Sequence, residues 1–98
     1  MPRPVKTHIF NGNKYLIKHL PPSRIQKGTA YGTADHPTTK NKCIEIANNL
    51  EGKELLRVYI HEALHCINFL WPENFVDRAS RDLSGFLWRL GYDIKEKK

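Results

Sequence analysis

The amino-acid sequence predicts a small α+β domain, a short N-terminal β-sheet (a hairpin plus a strand) packed on two consecutive antiparallel helices. Two β-prone runs, Lys6 to Phe10 and Lys14 to Leu20, flank Asn11-Gly12-Asn13, and Asn-Gly between such runs is the strongest short hairpin signal. Cys43 to Ala47 alternates in the manner of a strand. Two segments with an apolar period near 3.6 then follow and meet at Trp71-Pro72.

Each element has a local cause. Pro21-Pro22 stops the second β-run, because proline cannot donate to a ladder. Residues 23–42 are rich in Gly, Thr, Pro and Lys and read as loop, with a short extended piece around Thr29 to Thr33. Asn48 to Gly52 turns the chain into the first helix, Lys53 to Leu70, which contains no Pro or Gly. Its apolar residues are Leu56, Ile60, Ala63, Ile67 and Leu70. Trp71 ends it, since a residue before proline avoids the α region. Pro72 suits the first turn of a second helix, and Glu73 and Asp77 favour its positive end. Val76, Ala79, Leu83, Leu87 and Leu90 form the expected buried stripe of that helix, and Gly91 its C-cap. The tail Lys95 to Lys98 is charged and expected to fray.

With 98 residues, the chain has room for a single domain, a basic hairpin region (1–28) followed by a strand-helix-helix core (43–92). The absence of a long apolar run excludes a membrane-spanning helix, and the N-terminus lacks the apolar stretch of a signal peptide. A cytoplasmic location is therefore expected. Cys43 and Cys66 do not make a disulfide framework, and Cys66 reads as a small buried apolar residue. The net charge of +6 is concentrated in residues 1–28, which carry Arg3, Lys6, Lys14, Lys18, Arg24 and Lys27 and no acid. Such a patch is either a solvated surface or a region that attracts nucleic acid or an acidic partner.

Residues 61–65 read His-Glu-Ala-Leu-His, in the middle of the first helical segment. Residues four apart on a helix stand one above the other, so His61 and His65 can offer two imidazole nitrogens to one cation. Glu62 lies about 100° around the helix, where its carboxylate can serve as a general base. This is the zinc pattern H-E-x-x-H. No histidine follows His65, which excludes the extended three-histidine version of the motif. A third protein ligand is still needed, since catalytic zinc sites have three and keep one position open. A second helix folding straight back at Trp71-Pro72 would bring Asp77 level with Cys66 and Glu73 level with Leu70. Asp77 is thus the preferred third ligand and Glu73 the alternative.

The loop Tyr31-Gly-Thr-Ala-Asp35-His36-Pro37 precedes the strand that leads to the motif. Asp35 is a candidate acceptor that orients a ligand histidine from behind. His36 and Tyr31 are candidate donors to a developing oxyanion. Arg81, one turn beyond Asp77, is a further candidate to face the site. Asp-His-Pro is also ordinary turn chemistry, and Arg81 an ordinary surface charge.

Five blocks of the chain carry a family resemblance. They are residues 32–37 (GTADHP), Ile44-Glu45-Ile46, residues 60–65 (IHEALH), residues 76–83 (VDRASRDL) and residues 87–92 (LWRLGY). Over residues 28–92 the chain resembles small bacteriophage and bacterial proteins described as minimal zincin metallopeptidases. The resemblance implies a minimal zincin-like core, Zn²⁺ as cofactor, hydrolysis of a peptide bond, and host cytoplasm as the location if the chain is phage-encoded. An acidic residue is usual in that group at the place of Asp77, and acids also occur near that of Glu73, which leaves the choice open. It does not extend to the basic hairpin and implies no particular physiological substrate beyond a protein or peptide. A chain this short has few residues for substrate subsites, so its cleft is expected to be shallow or completed by a second copy or a partner. The rival expectation is a nucleic-acid-associated module, reached through residues 1–28, in which the zinc is structural or vestigial.

Overall fold

The computed structural model describes residues 5–25 and 31–92. It is the expected α+β fold, a four-stranded sheet among the described residues followed by two helices. Expectations about Arg3, Lys27 and the tail Lys95 to Lys98 lie outside the described residues, as does the start of the extended piece at Thr29.

Strands β1 (Thr7–Phe10) and β2 (Asn13–Leu20) form the antiparallel hairpin. Its two turn residues both take positive φ, Asn11 at 50° and Gly12 at 81°, the backbone of a turn whose twist matches its strands. A short 3-10 turn (Pro22–Arg24) follows. Strand β3 (Gly32–Ala34) and strand β4 (Cys43–Ala47) complete the sheet in the order β1-β2-β4-β3. β4 runs parallel to β2, with Leu16 opposite Cys43, and antiparallel to β3, with Thr33 opposite Glu45. β3 is therefore an edge strand.

Helix α1 (Gly52–Ile67) lies against the sheet, and helix α2 (Glu73–Arg89) packs on α1. The core between sheet and α1 is built from Tyr15, Ile44, Ile46, Leu55, Val58 and Cys66. Cys66 thus serves as a buried apolar residue, and its burial pushes the thiol up to about 12. Lys14, Leu16 and Lys18 of β2 are exposed.

Three sequence expectations are corrected. α1 buries Leu55, Val58, Glu62 and Cys66, not the apolar line Leu56, Ile60, Ala63, Ile67 and Leu70, of which Ile67 and Leu70 are exposed. α1 ends at Ile67, three residues before Leu70, because the Asn68 side chain accepts the Leu70 N–H at 3.0 Å and its own backbone is extended (φ −148°, ψ 95°). The buried line of α2 is Val76, Ser80 and Ser84, not the apolar stripe that continues from Val76 through Leu83 to Leu90. Leu83 and Leu90 are exposed, as are Phe75 and Phe86. A helix packed closely on another favours small residues at the contact, and the two serines fill that place. The hydroxyls donate back to carbonyls one turn earlier, Ser80 to Asp77 at 2.9 Å and Ser84 to Arg81 at 3.1 Å, so neither is buried unpaired.

Candidate metal centre

α1 turns a row of side chains towards α2. His61 and His65 stand one turn apart, with ring centroids 4.9 Å apart. Both rings aim Nε2 at one carboxylate: His61 Nε2 lies 2.9 Å from Glu73 Oε2 and His65 Nε2 lies 2.9 Å from Glu73 Oε1. The three residues each offer one ligand atom, and those atoms lie within 4.8 Å of one another. Donors held about 2.0–2.1 Å from a tetrahedral ion stand roughly 3.3 Å apart, so the cluster needs only small adjustments to close on one. Two imidazoles and a carboxylate are a nitrogen and oxygen donor set suited to zinc.

The structure brings Glu73, rather than Asp77, to both rings. The connection explains why. Residues 68–72 are not helical, and Asn68 and Pro72 have extended backbone. Extended residues advance about twice as far as helical ones, so the returning chain enters α2 farther back along α1 than a continuous helical hairpin would. Glu73 thereby falls beside the histidines. Asp77, one turn on, lies behind His61, with Oδ1 at 3.9 Å from Nδ1.

Ser80 Oγ also stands behind His61, at 3.5 Å from Nδ1. Its hydrogen is given to the Asp77 carbonyl at 2.9 Å, which leaves an oxygen lone pair for an Nδ1–H. In this structure Nε2 donates to Glu73; with an ion in the Nε2 position, such a partner would hold the proton on Nδ1. Burial holds the His65 pKa below its ordinary value, which favours the neutral imidazole that binds metals.

Glu62 is nearly fully buried on the wall of the same cleft, a hollow of about 670 Å³. Burial, helped by the nearby Glu73 charge, pushes its carboxyl up to about 8. Gly32 of β3 is packed against it, since a β-carbon there would come within 3.3 Å of Glu62 Oε2.

The loop before β4 divides. Tyr31 and Arg81 line the cleft, whereas Asp35 and His36 do not. Asp35 Oδ2 accepts the Cys43 N–H at 2.9 Å, so its carboxylate closes the β3–β4 connection and is not behind a ligand histidine. His36 Nδ1 accepts from Thr38 N–H at 3.1 Å, and its ring meets Phe69 edge-on at 4.7 Å. Arg81 Nε donates to Asp77 Oδ2 at 3.1 Å. Three contributors escaped sequence reasoning. Ser80 carried no signal beyond being polar on an expected apolar helix. Gly32 carried one, because glycine inside a strand marks close approach. Arg57, four residues before His61, shares its face, and its Nη1 lies 3.9 Å from Asp77 Oδ1.

Comparison with protein-family models, curated proteins and solved structures finds no match.

Proposed function

We propose that the protein is a zinc-dependent peptidase. The observation that carries this reading is the double contact of Glu73 with Nε2 of His61 and of His65, beside the buried carboxyl of Glu62. His61, His65 and Glu73 would hold the ion. A zinc ion held there would supply water activation near neutral pH and Lewis-acid polarisation of a carbonyl.

The chain's own residues do the rest. Ser80, with Asp77 behind it, keeps His61 Nδ1 occupied and Nε2 directed into the cleft. Glu62 takes the proton from the attacking water and hands it to the leaving amine. Its raised pKa suits that double role, since a carboxylate that titrates near neutrality can both accept and return a proton. A nearby cation favours the charged form and brings the value down from that of the metal-free protein.

β3 supplies a place for a peptide backbone. Tyr31 O accepts from Ala47 N–H at 2.8 Å and Asp35 N–H donates to Cys43 O at 3.1 Å. Strand alternation then turns the backbone groups of Gly32 and Ala34 to the open edge, beside the cleft they line. An extended substrate would add to the sheet there, its bond held near Glu62.

Two measurements test the reading together. Elemental analysis of protein purified without chelator should give about one zinc per chain, lost in His61→Ala. The zinc-loaded protein should cleave a fluorogenic peptide library, and Glu62→Gln should keep the metal while losing at least a hundredfold in rate. Cleavage that persists in Glu62→Gln removes the general base and the reading with it.

A further inference from the structure

The side chains of the cleft are graded along its length. Arg57, His61 and His65 of α1 follow one another at four-residue intervals, and Phe69 continues the row just past the helix end. Glu73, Asp77 and Arg81 make the facing row on α2. All seven line the cleft, and Trp71 joins Phe69 at its far end. One end therefore carries two arginines and the other two aromatic rings, with the candidate metal centre between them.

At the arginine end, Asp77 sits between the two guanidiniums. Arg81 Nε donates to Asp77 Oδ2 at 3.1 Å, and Arg57 Nη1 is 3.9 Å from Asp77 Oδ1. Arg57 is also paired with Glu54, which does not line the cleft. With Glu54 included, the two guanidiniums at this end meet two carboxylates, so what the end offers a ligand is free N–H donors and not a net charge. Arg81 is the more exposed of the two, and the bond to Asp77 is made through Nε, so its terminal amines remain for another acceptor. A planar guanidinium held by its Nε is a fork suited to a second carboxylate.

We infer that the arginine end of the cleft recognises a carboxylate of the substrate, with Arg81 as the residue that touches it through its terminal amines and Asp77 as the residue that positions Arg81. The inference rests on the peptidase reading for the substrate class. Arg81 stands eight residues beyond Glu73, about 12 Å along α2, the length of about four extended residues. The long arginine side chain shortens this, which places the carboxylate about two residues from the cleaved bond. It comes from an Asp or Glu side chain or from a free C-terminus.

The test is binding rather than turnover. Zinc-loaded Glu62→Gln protein is titrated into fluorescein-labelled heptapeptides that carry one Glu, Gln or Lys at each position in turn, each made as free acid and as amide. Glu should bind roughly tenfold or more tightly than Gln at one or two adjacent positions if a side chain is read, and free acid should beat amide by a similar factor if the terminus is read. Arg81→Glu should reverse the preference towards Lys. Equal affinities for Glu, Gln and Lys, and for acid and amide, overturn the inference without any variant. So does a carboxylate preference that Arg81→Glu leaves unchanged, because it places that carboxylate on the metal. Wild-type turnover of the same peptides separates the two readings. Cleavage without a carboxylate preference sinks this inference alone, and a preference reversed by Arg81→Glu without cleavage sinks the peptidase alone.

Discussion

Gly32 and Glu62 touch across the cleft so closely that no side chain fits between them. A β-carbon on Gly32 would stand 3.3 Å from Glu62 Oε2, 3.2 Å from Val58 Cγ1 and 2.9 Å from the backbone oxygen of Glu45. The edge strand thereby sets the depth at which the carboxyl of Glu62 is buried.

Gly32→Ala should therefore destabilise the fold and, under the peptidase proposal, weaken cleavage as well. The Glu45 carbonyl belongs to β4 and cannot yield without moving the sheet, so overpacking of this kind costs about 1–3 kcal/mol. In a domain of this size each kcal/mol lowers Tm by about 4–8 °C. A thermal melt unchanged from wild type would show that β3 can shift away from Glu45 and Glu62 at no cost.

The burial of Glu62 gives the metal-free protein a pH dependence. Its folded pKa of about 8 lies above the ordinary value of 4.5. The folded state then binds more protons than the unfolded state between these values, so stability falls as pH rises from about 4.5 towards 8. His65 acts oppositely, its lowered pKa removing stability only as pH falls below the ordinary 6.5. Comparing wild type with Glu62→Gln isolates the first effect. Urea midpoints measured with chelator should show the variant gaining on wild type from pH 5 to pH 8. A constant difference across that range would mean that Glu62 is not buried in the metal-free protein.

The α2 surface separates what the sequence made legible from what it did not. The hairpin, β4, both helices and the chemical pair His61 and His65 followed from turn residues and periodicity, which are local signals. The rotation of the helices did not: α1 buries Leu55, Val58, Glu62 and Cys66 rather than the stripe Leu56, Ile60, Ala63, Ile67 and Leu70, and α2 departs in the same way. Of the predicted α2 stripe Val76, Ala79, Leu83, Leu87 and Leu90 only Val76 is buried; the helix rests on Val76, Ser80 and Ser84, and Leu83, Leu90, Phe75 and Phe86 are exposed. Apolar periodicity reports which face is greasy, and close packing of two helices selected a neighbouring face with smaller side chains. Leu83→Gln should accordingly change stability by no more than about 0.5 kcal/mol. Val76→Ala, at a position with no exposed surface, should cost about 2 kcal/mol. The reverse order in denaturant titrations would show that α2 sits on its apolar stripe.

Burial also decides the reactivity of the two thiols. Cys66 is enclosed between Tyr15 and the core, and burial raises its pKa to about 12. Cys43 is only partly buried, though burial and the adjacent Asp35 raise its pKa as well. A thiol reagent applied to the folded protein at pH 8 should modify Cys43 slowly and Cys66 only on unfolding. Mass mapping that finds Cys66 labelled first would contradict the packing of α1 on the sheet.

The identity of the third ligand was the part of the site least accessible to sequence reasoning, because it depends on how far five non-helical residues carry the chain. Two acids one turn apart on α2 present the same chemistry, and only the path of residues 68–72 distinguishes them. That path puts both oxygens of Glu73 at 2.9 Å from the histidine nitrogens, and leaves Asp77 at 3.9 Å from the far side of His61, shared with Arg57 and Arg81. Removing a ligand takes away a bond to the ion, whereas removing a group behind a ligand loosens its orientation, at a cost of about 10- to 100-fold in affinity. Zinc competition against a chromophoric chelator should therefore rank Glu73→Ala well below Asp77→Ala, with Asp77→Ala itself within about 100-fold of wild type. The zinc-induced rise in Tm should follow the same order, since an ion that binds only the folded chain stabilises it according to its affinity. Should Asp77→Ala lose zinc while Glu73→Ala retains it, α2 enters the metal-bound state one turn farther along α1, and the contacts of Glu73 describe only the metal-free hydrogen bonding of two imidazoles.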